Sequence, residues 1–180
     1  MKPIVSTPLK YGLIGSVLTI TAILILYYSG RNPLFIPVFM DVRIFIFGLF
    51  IFFGIKEFKD YHNGGTVQFW QGMIIGIGIY LLIGLVAGLF LIIFSNIEPQ
   101  FFTDYIDGTI NGLMLEKDQL VNQGKITISE EEFNKQIELL KQDTPFVLGF
   151  DYFFKSCLLG FFITILLAVV LRKSEKRFTK

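Results

Sequence analysis

The stretch Gly72–Phe94, GMIIGIGIYLLIGLVAGLFLIIF, contains no ionised side chain. As a helix rising about 1.5 Å per residue it is about 34 Å long, enough to cross the roughly 30 Å hydrocarbon core of a bilayer. Working outward, Tyr11–Tyr28 is a second uncharged run of spanning length. Ser156–Leu171 is uncharged but shorter, and Val42–Ile55 carries only Arg43. Runs of these last two kinds also occur as buried helices of soluble folds, so they take their meaning from the first two. A chain of 180 residues that is 53% hydrophobic and 16% aromatic has too little polar surface to cover itself in water. The sequence describes an integral membrane protein.

The near-neutral net charge conceals a segregation. The segments Met1–Lys10, Lys56–Gln71 and Arg172–Lys180 hold Lys2, Lys10, Lys56, Lys59, Arg172, Lys173, Lys176, Arg177 and Lys180 against Glu57, Asp60 and Glu175. The long segment Ser95–Asp151 is acidic, with Glu98, Asp104, Asp107, Glu116, Asp118, Glu130, Glu131, Glu132, Glu138, Asp143 and Asp151 against Lys117, Lys125, Lys135 and Lys141. The positive-inside rule places the basic segments in the cytoplasm and the acidic one outside. The expected fold is therefore an all-α membrane protein with four transmembrane helices, about 9–28, 42–62, 67–95 and 147–171, and both termini cytoplasmic. An amphipathic extracytoplasmic helical hairpin, 96–146, separates helices 3 and 4. The first span lacks a small-residue cleavage pattern after Tyr28 and reads as retained. Cys157 is the sole cysteine and reads as a packing residue.

Local signals punctuate these spans. Gly30, Asn32, Pro33 and Pro37 break the chain after span one, and Asp41 reads as the N-cap of span two. Lys56 and Asp60 stand at i, i+4, and Lys56 and Lys59 at i, i+3, so the charges gather on one helical turn. Asn63-Gly64-Gly65 supplies left-handed backbone to end it, and Thr66 is the candidate N-cap of span three. Gly72, Gly76, Gly84 and Gly88 keep a four-residue register, a ridge over which another helix backbone can approach closely; Gly12 and Ser16 make a smaller version. This ridge suits packing within the bundle, with a homo-oligomer seam as the alternative. In the insert, Tyr105, Ile106, Ile110, Leu113 and Leu120 share one stripe. Ser129 with Glu132 forms a capping box, Phe133, Ile137 and Leu140 form the apolar face that follows, and Pro145 closes the helix.

Chemistry is sparse. Asp41 and Arg43 are the candidate intramembrane ionisable residues. A span starting at Leu34 would put Asp41 about 10 Å deep. A span starting at Val42, the reading the two upstream prolines favour, makes both interfacial. Two positions apart on a helix, they are not expected to pair. The candidate functional turn comprises Lys56, Glu57, Lys59, Asp60, His62, Gly64 and Gly65. His62 is the only histidine, so one chain offers no histidine-rich metal site or bis-histidine haem, and no catalytic residue or cofactor is expected. GMIIGIG imitates a nucleotide-binding loop, but lies within a span and follows no strand.

The opening of span one (KYGLIGSV), the FGIKEFKD…NGG…FWQG turn and the acidic paired-helix insert resemble an uncharacterised family of small bacterial membrane proteins, a domain of unknown function. The resemblance covers nearly the whole chain and implies four helices in the inner membrane, with no activity attached. The expected role is non-enzymatic, a scaffold or accessory subunit of an envelope complex. Its partners would be the lipid bilayer, a membrane or periplasmic protein engaging 96–146, or a second copy; nucleic acid is not expected. The alternatives are a small oligomeric transporter or channel using Asp41, and a lipid-directed enzyme using His62 with Glu57 or Asp60.

Overall fold

Among the described residues three helices are long and apolar enough to cross a membrane. In the computed structural model, which describes residues 2–36, 41–122 and 130–173, these are α1 (Pro3–Tyr28), α3 (Phe69–Ile97) and α6 (Pro145–Leu171). Between them lie α2 (Val42–Glu57), prolonged by a π-helical turn Phe58–His62, then α4 (Pro99–Asn122) and α5 (Glu130–Lys141). Among the described residues the chain is all-helical, with one isolated β-bridge between Val67 and Lys173. The Ser129 cap, the Leu120 side chain and the residues after Lys173 lie outside the described part.

One proline reading changes, that of Pro145, and α1 carries prolines of its own. α1 starts at Pro3, because proline at a first helical position has the right φ and lacks only an amide that would be unbonded there. Pro8 then falls inside α1, and its ring lies against Gly78, where an added Cβ would come 2.7 Å from the Pro8 Cβ. Pro145 likewise opens α6 instead of closing the preceding helix. Asp151 and Lys155 therefore stand within α6 and form an i, i+4 ion pair of 2.7 Å.

Close contacts fix the directions of the helices. Gly12 faces Leu82, Pro8 faces Gly78, and the Tyr27 ring meets Phe94 at 5.6 Å, so α1 and α3 run parallel. α6 runs antiparallel to α3: Gly72 meets Ala168, Gly76 meets Thr164, Tyr80 meets Gly160, Gly84 meets Ser156 and Gly88 meets Gly149. The α3 ridge thus faces a second ridge, Ser156, Gly160, Thr164 and Ala168, with the same four-residue repeat. Small residues on both sides let dispersion act between backbones, the main attraction available where lipid is as apolar as the helix. α2 returns between α1 and α3, with Phe50 at Gly15 and Gly54 at Ile79.

The bundle accordingly has a turn end, where α2 leads into α3 and α6 stops, and a hairpin end, capped by α4 and α5. Phe47, Ile51, Ile55, Ile75, Ile79 and Ile83 are buried through the middle. At the hairpin end Phe101 of α4 inserts between Tyr27 and Phe94, with centroids 5.1 and 5.2 Å away. Phe101, Tyr105, Ile106 and Ile110 bury the stripe of α4, and α5 places Phe133 under Lys117 of α4. The outward stripe of α3 runs from Ile74 through Leu81, Leu85 and Leu89 to Ile93, about 29 Å along the axis.

Candidate functional site

Two ion-paired clusters occupy opposite ends of α2. At the hairpin end Asp41 caps the helix: its carboxylate accepts from the Arg43 N–H at 2.9 Å. It also accepts from Arg43 Nε, at 3.0 and 2.8 Å to its two oxygens. Helical spacing had predicted that these residues would not pair. Asp41 is extended (φ −68°, ψ 116°), so the helical rule does not govern it, and the long Arg43 side chain folds back over the first turn. Arg43 Nη1 donates to Ser156 Oγ at 3.3 Å, and the guanidinium lies 4.7 Å from the centre of the Tyr152 ring. The two ionic side chains are only 12% and 15% exposed, a burial that charges tolerate only when paired and hydrogen-bonded. Beside them a cavity of about 20 Å³ is lined by Thr19, Asp41, Arg43 and Tyr152 among apolar neighbours, which is room for about one water.

Lys155 and Asp151 extend this end outward, and Tyr105 Oη donates to Asp151 Oδ2 over a long 3.4 Å. Burial first, and then the neighbouring Asp151 carboxylate, push the Tyr105 phenol up to about 12, so it stays neutral as a donor through physiological pH.

At the turn end Glu57 Oε2 accepts from Lys10 Nζ and Tyr11 Oη, both at 2.7 Å. This joins α1 to α2 across 46 and 47 positions of sequence. It also brings together two of the stretches that carry the family resemblance, KYG and FGIKEFKD. Immediately beyond, the chain widens into the π-helical turn, whose larger residue count per turn shifts the register. No ion pair joins Lys56 and Asp60 among the described residues; the Lys56 ammonium stands 5.8 Å from the Phe52 ring centre instead. Gly64 and Gly65 take positive φ, 59° and 76°, as the Gly-Gly pair predicted. Thr66 does not cap α3: its hydroxyl donates to the Asn63 carbonyl at 2.9 Å, closing the turn. Gln68 holds the N-cap position instead, its N–H donating to Gln71 Oε1 at 2.9 Å.

Arg43 and Glu57 are fourteen residues apart on α2, about 21 Å. Each carboxylate at these two ends has a cationic partner, Arg43 for Asp41 and Lys10 for Glu57, and an unpaired charge would cost most at the more buried hairpin end. The chemistry on offer is fixed ion pairing and hydrogen bonding. His62 is exposed and makes no hydrogen bond among the described residues. Of its two proposed partners, Glu57 is committed to Lys10 and Tyr11 of α1, and Asp60 makes no hydrogen bond with His62 among the described residues. Among the described residues no three His, Cys, Asp or Glu side chains converge as a metal set.

Sequence reasoning missed Lys10, Tyr11, Tyr152, Ser156 and the Asp151–Lys155 pair. The last was legible as an i, i+4 spacing once α6 was begun at Pro145. The others meet only through the bundle.

The same span of sequence, residues 10–173, matches the family model described as Protein of unknown function (DUF4199). The chain belongs to DUF4199. Its match starts at Lys10 and ends at Lys173, so it takes in both clusters and the Val67–Lys173 bridge of this DUF4199 chain. No curated protein and no solved structure matches it.

Proposed function

We propose that this DUF4199 chain is a non-enzymatic four-span protein of the bacterial inner membrane, a scaffold or accessory subunit that presents α4 and α5 on the extracytoplasmic side. The observation that carries the reading is the commitment of Asp41 to Arg43. Asp41 was the carboxylate on which a transport reading depended, and the pair holds α2 against Ser156 of α6. The four-span count is supported by direction. α1 ends at the hairpin end and α3 starts at the turn end, so α2 must traverse the bundle, and with its π-helical turn it covers 42–62. The basic segments then share one face, cytoplasmic by the positive-inside rule.

Two measurements test this. Alkaline phosphatase fused near Gly124 is expected to be active and fused after Lys180 inactive; the opposite pattern reverses the orientation. Mild extraction from native membranes is expected to retain a defined partner or homo-oligomer. A monomer alone, with reconstituted ion flux lost on Asp41→Asn in protein that is still folded, would replace the scaffold by a transporter.

A further inference from the structure

The turn end carries a second arrangement that the ion pairs do not use. Val67 and Lys173 exchange both of their main-chain hydrogen bonds at 3.0 Å. This bridge ties the chain just beyond α6, with Arg172 and Lys173, to the segment that leads into α3, where Phe69 and Trp70 follow Val67 by two and three residues and are exposed. The Gly65 N–H donates to the Lys59 carbonyl at 2.8 Å, which draws Lys59 to the same loop. Lys56, Tyr61, Arg172 and Lys173 are exposed there. Of the acids described on this rim, Glu57 is taken by Lys10 and Tyr11, leaving Asp60 against Lys56, Lys59, Arg172 and Lys173.

We propose that this rim is a binding surface for the headgroups of anionic phospholipids in its own leaflet. Lys59, Arg172 and Lys173 supply the charge, and Trp70 and Tyr61 the interfacial anchors. Charge complementarity argues for an anion. Position argues for a lipid rather than a free phosphate. The cations lie on, or are bridged to, the loop that leads into α3, one turn before Ile74 where the outward apolar stripe of α3 begins, which is the level at which an embedded bundle meets lipid phosphates. The surface is open rather than enclosed, so the attraction is that of clustered charges at a membrane face. It adds to the scaffold reading and requires only that the bundle be embedded, whichever end faces the cytoplasm.

The bridge is made by main-chain atoms, so the side chains can be neutralised without cutting it. The test uses the full chain in mild detergent, with thermal unfolding followed against added phosphatidylglycerol, phosphatidylcholine or inorganic phosphate. Phosphatidylglycerol is expected to raise the midpoint where the other two do not, and about 0.5 M salt to collapse the difference. Lys59→Gln/Arg172→Gln/Lys173→Gln should weaken the apparent phosphatidylglycerol affinity about fivefold per charge, roughly a hundredfold together. Lys117→Gln/Lys135→Gln at the hairpin end should leave it unchanged. If the triple variant unfolds in detergent alone, Lys173→Gln by itself carries the test at about fivefold. Equal stabilisation by phosphatidylcholine, equal stabilisation by inorganic phosphate, or wild-type affinity in the charge variants overturns the proposal.

Discussion

The two ends of α2 hold the same chemistry in different surroundings. At the hairpin end Asp41 and Arg43 are 12% and 15% exposed, sealed by Tyr152 and Ser156. At the turn end Glu57 is 22% and Lys10 53% exposed, and one partner of the carboxylate is a neutral phenol. A buried pair contributes little net stability while intact, yet breaking it strands a charge. A half-exposed pair can rehydrate, so losing it costs far less. The ends should therefore differ in what their mutants do rather than in what their distances are.

The largest effect is expected from Asp41→Asn, which leaves Arg43 buried without its counterion. It should destabilise the bundle by about 3–5 kcal/mol, measured by denaturant titration in mixed micelles. Replacing both members, Asp41→Leu with Arg43→Met, should recover most of that loss; a double variant as unstable as the single would show that the pair is not acting as a unit. Next comes the seam, which also differs between the ends. An added Cβ at Gly88 meets the Gly149 carbonyl oxygen at 2.9 Å, whereas at Gly72 it meets the Ala168 Cβ at 3.1 Å. Neither neighbour can swing aside, since the Ala168 Cα is itself 3.3 Å from the added Cβ at Gly72, so the closer approach decides. Gly88→Ala should cost about 1–3 kcal/mol and Gly72→Ala somewhat less; a larger loss at Gly72 in the same titration would reverse that order.

At the turn end, Glu57→Gln should cost only about 0.2–1 kcal/mol. A loss as large as that of Asp41→Asn would mean that Glu57 is sealed from solvent as fully as the other end. The last effect is confined to alkaline pH. Tyr105 has its folded value raised above the ordinary 10.0 to about 12, so its contribution is fully present below pH 10 and is lost as pH rises toward 12. Proteolysis of the α4–α5 region should accelerate over that window, and Tyr105→Phe should reduce the acceleration relative to the unsubstituted chain while leaving the neutral-pH rate nearly unchanged.

Legibility followed the range of the interaction. The Asp41 cap, the Gly64–Gly65 turn and the stripes of α4 and α5 are decided within a few residues, and each was readable. Thr66 shows the limit of the rule: a threonine before a helix promised a cap, but the tight closure of Asn63–Thr66 took its hydroxyl and left the N-cap position to Gln68. Asp41 and Arg43 show the converse, since a spacing rule that holds inside a helix failed one residue outside it.

By itself the sequence determined that long uncharged runs must leave water as helices, that charge is sorted between their connections, and that a glycine ridge runs along α3. Those follow from solvation and from hydrogen bonds made within a turn or two. Tertiary structure alone decided that the ridge faces Ser156, Gly160, Thr164 and Ala168, that Glu57 reaches Lys10 and Tyr11, and that Arg43 reaches Ser156 across 113 positions. Each of those contacts depends on how whole helices pack. The physical reason is that a buried charge or an orphan hydrogen-bonding group takes whichever partner the packed backbones bring within about 3 Å, and a linear chain carries no local record of that meeting.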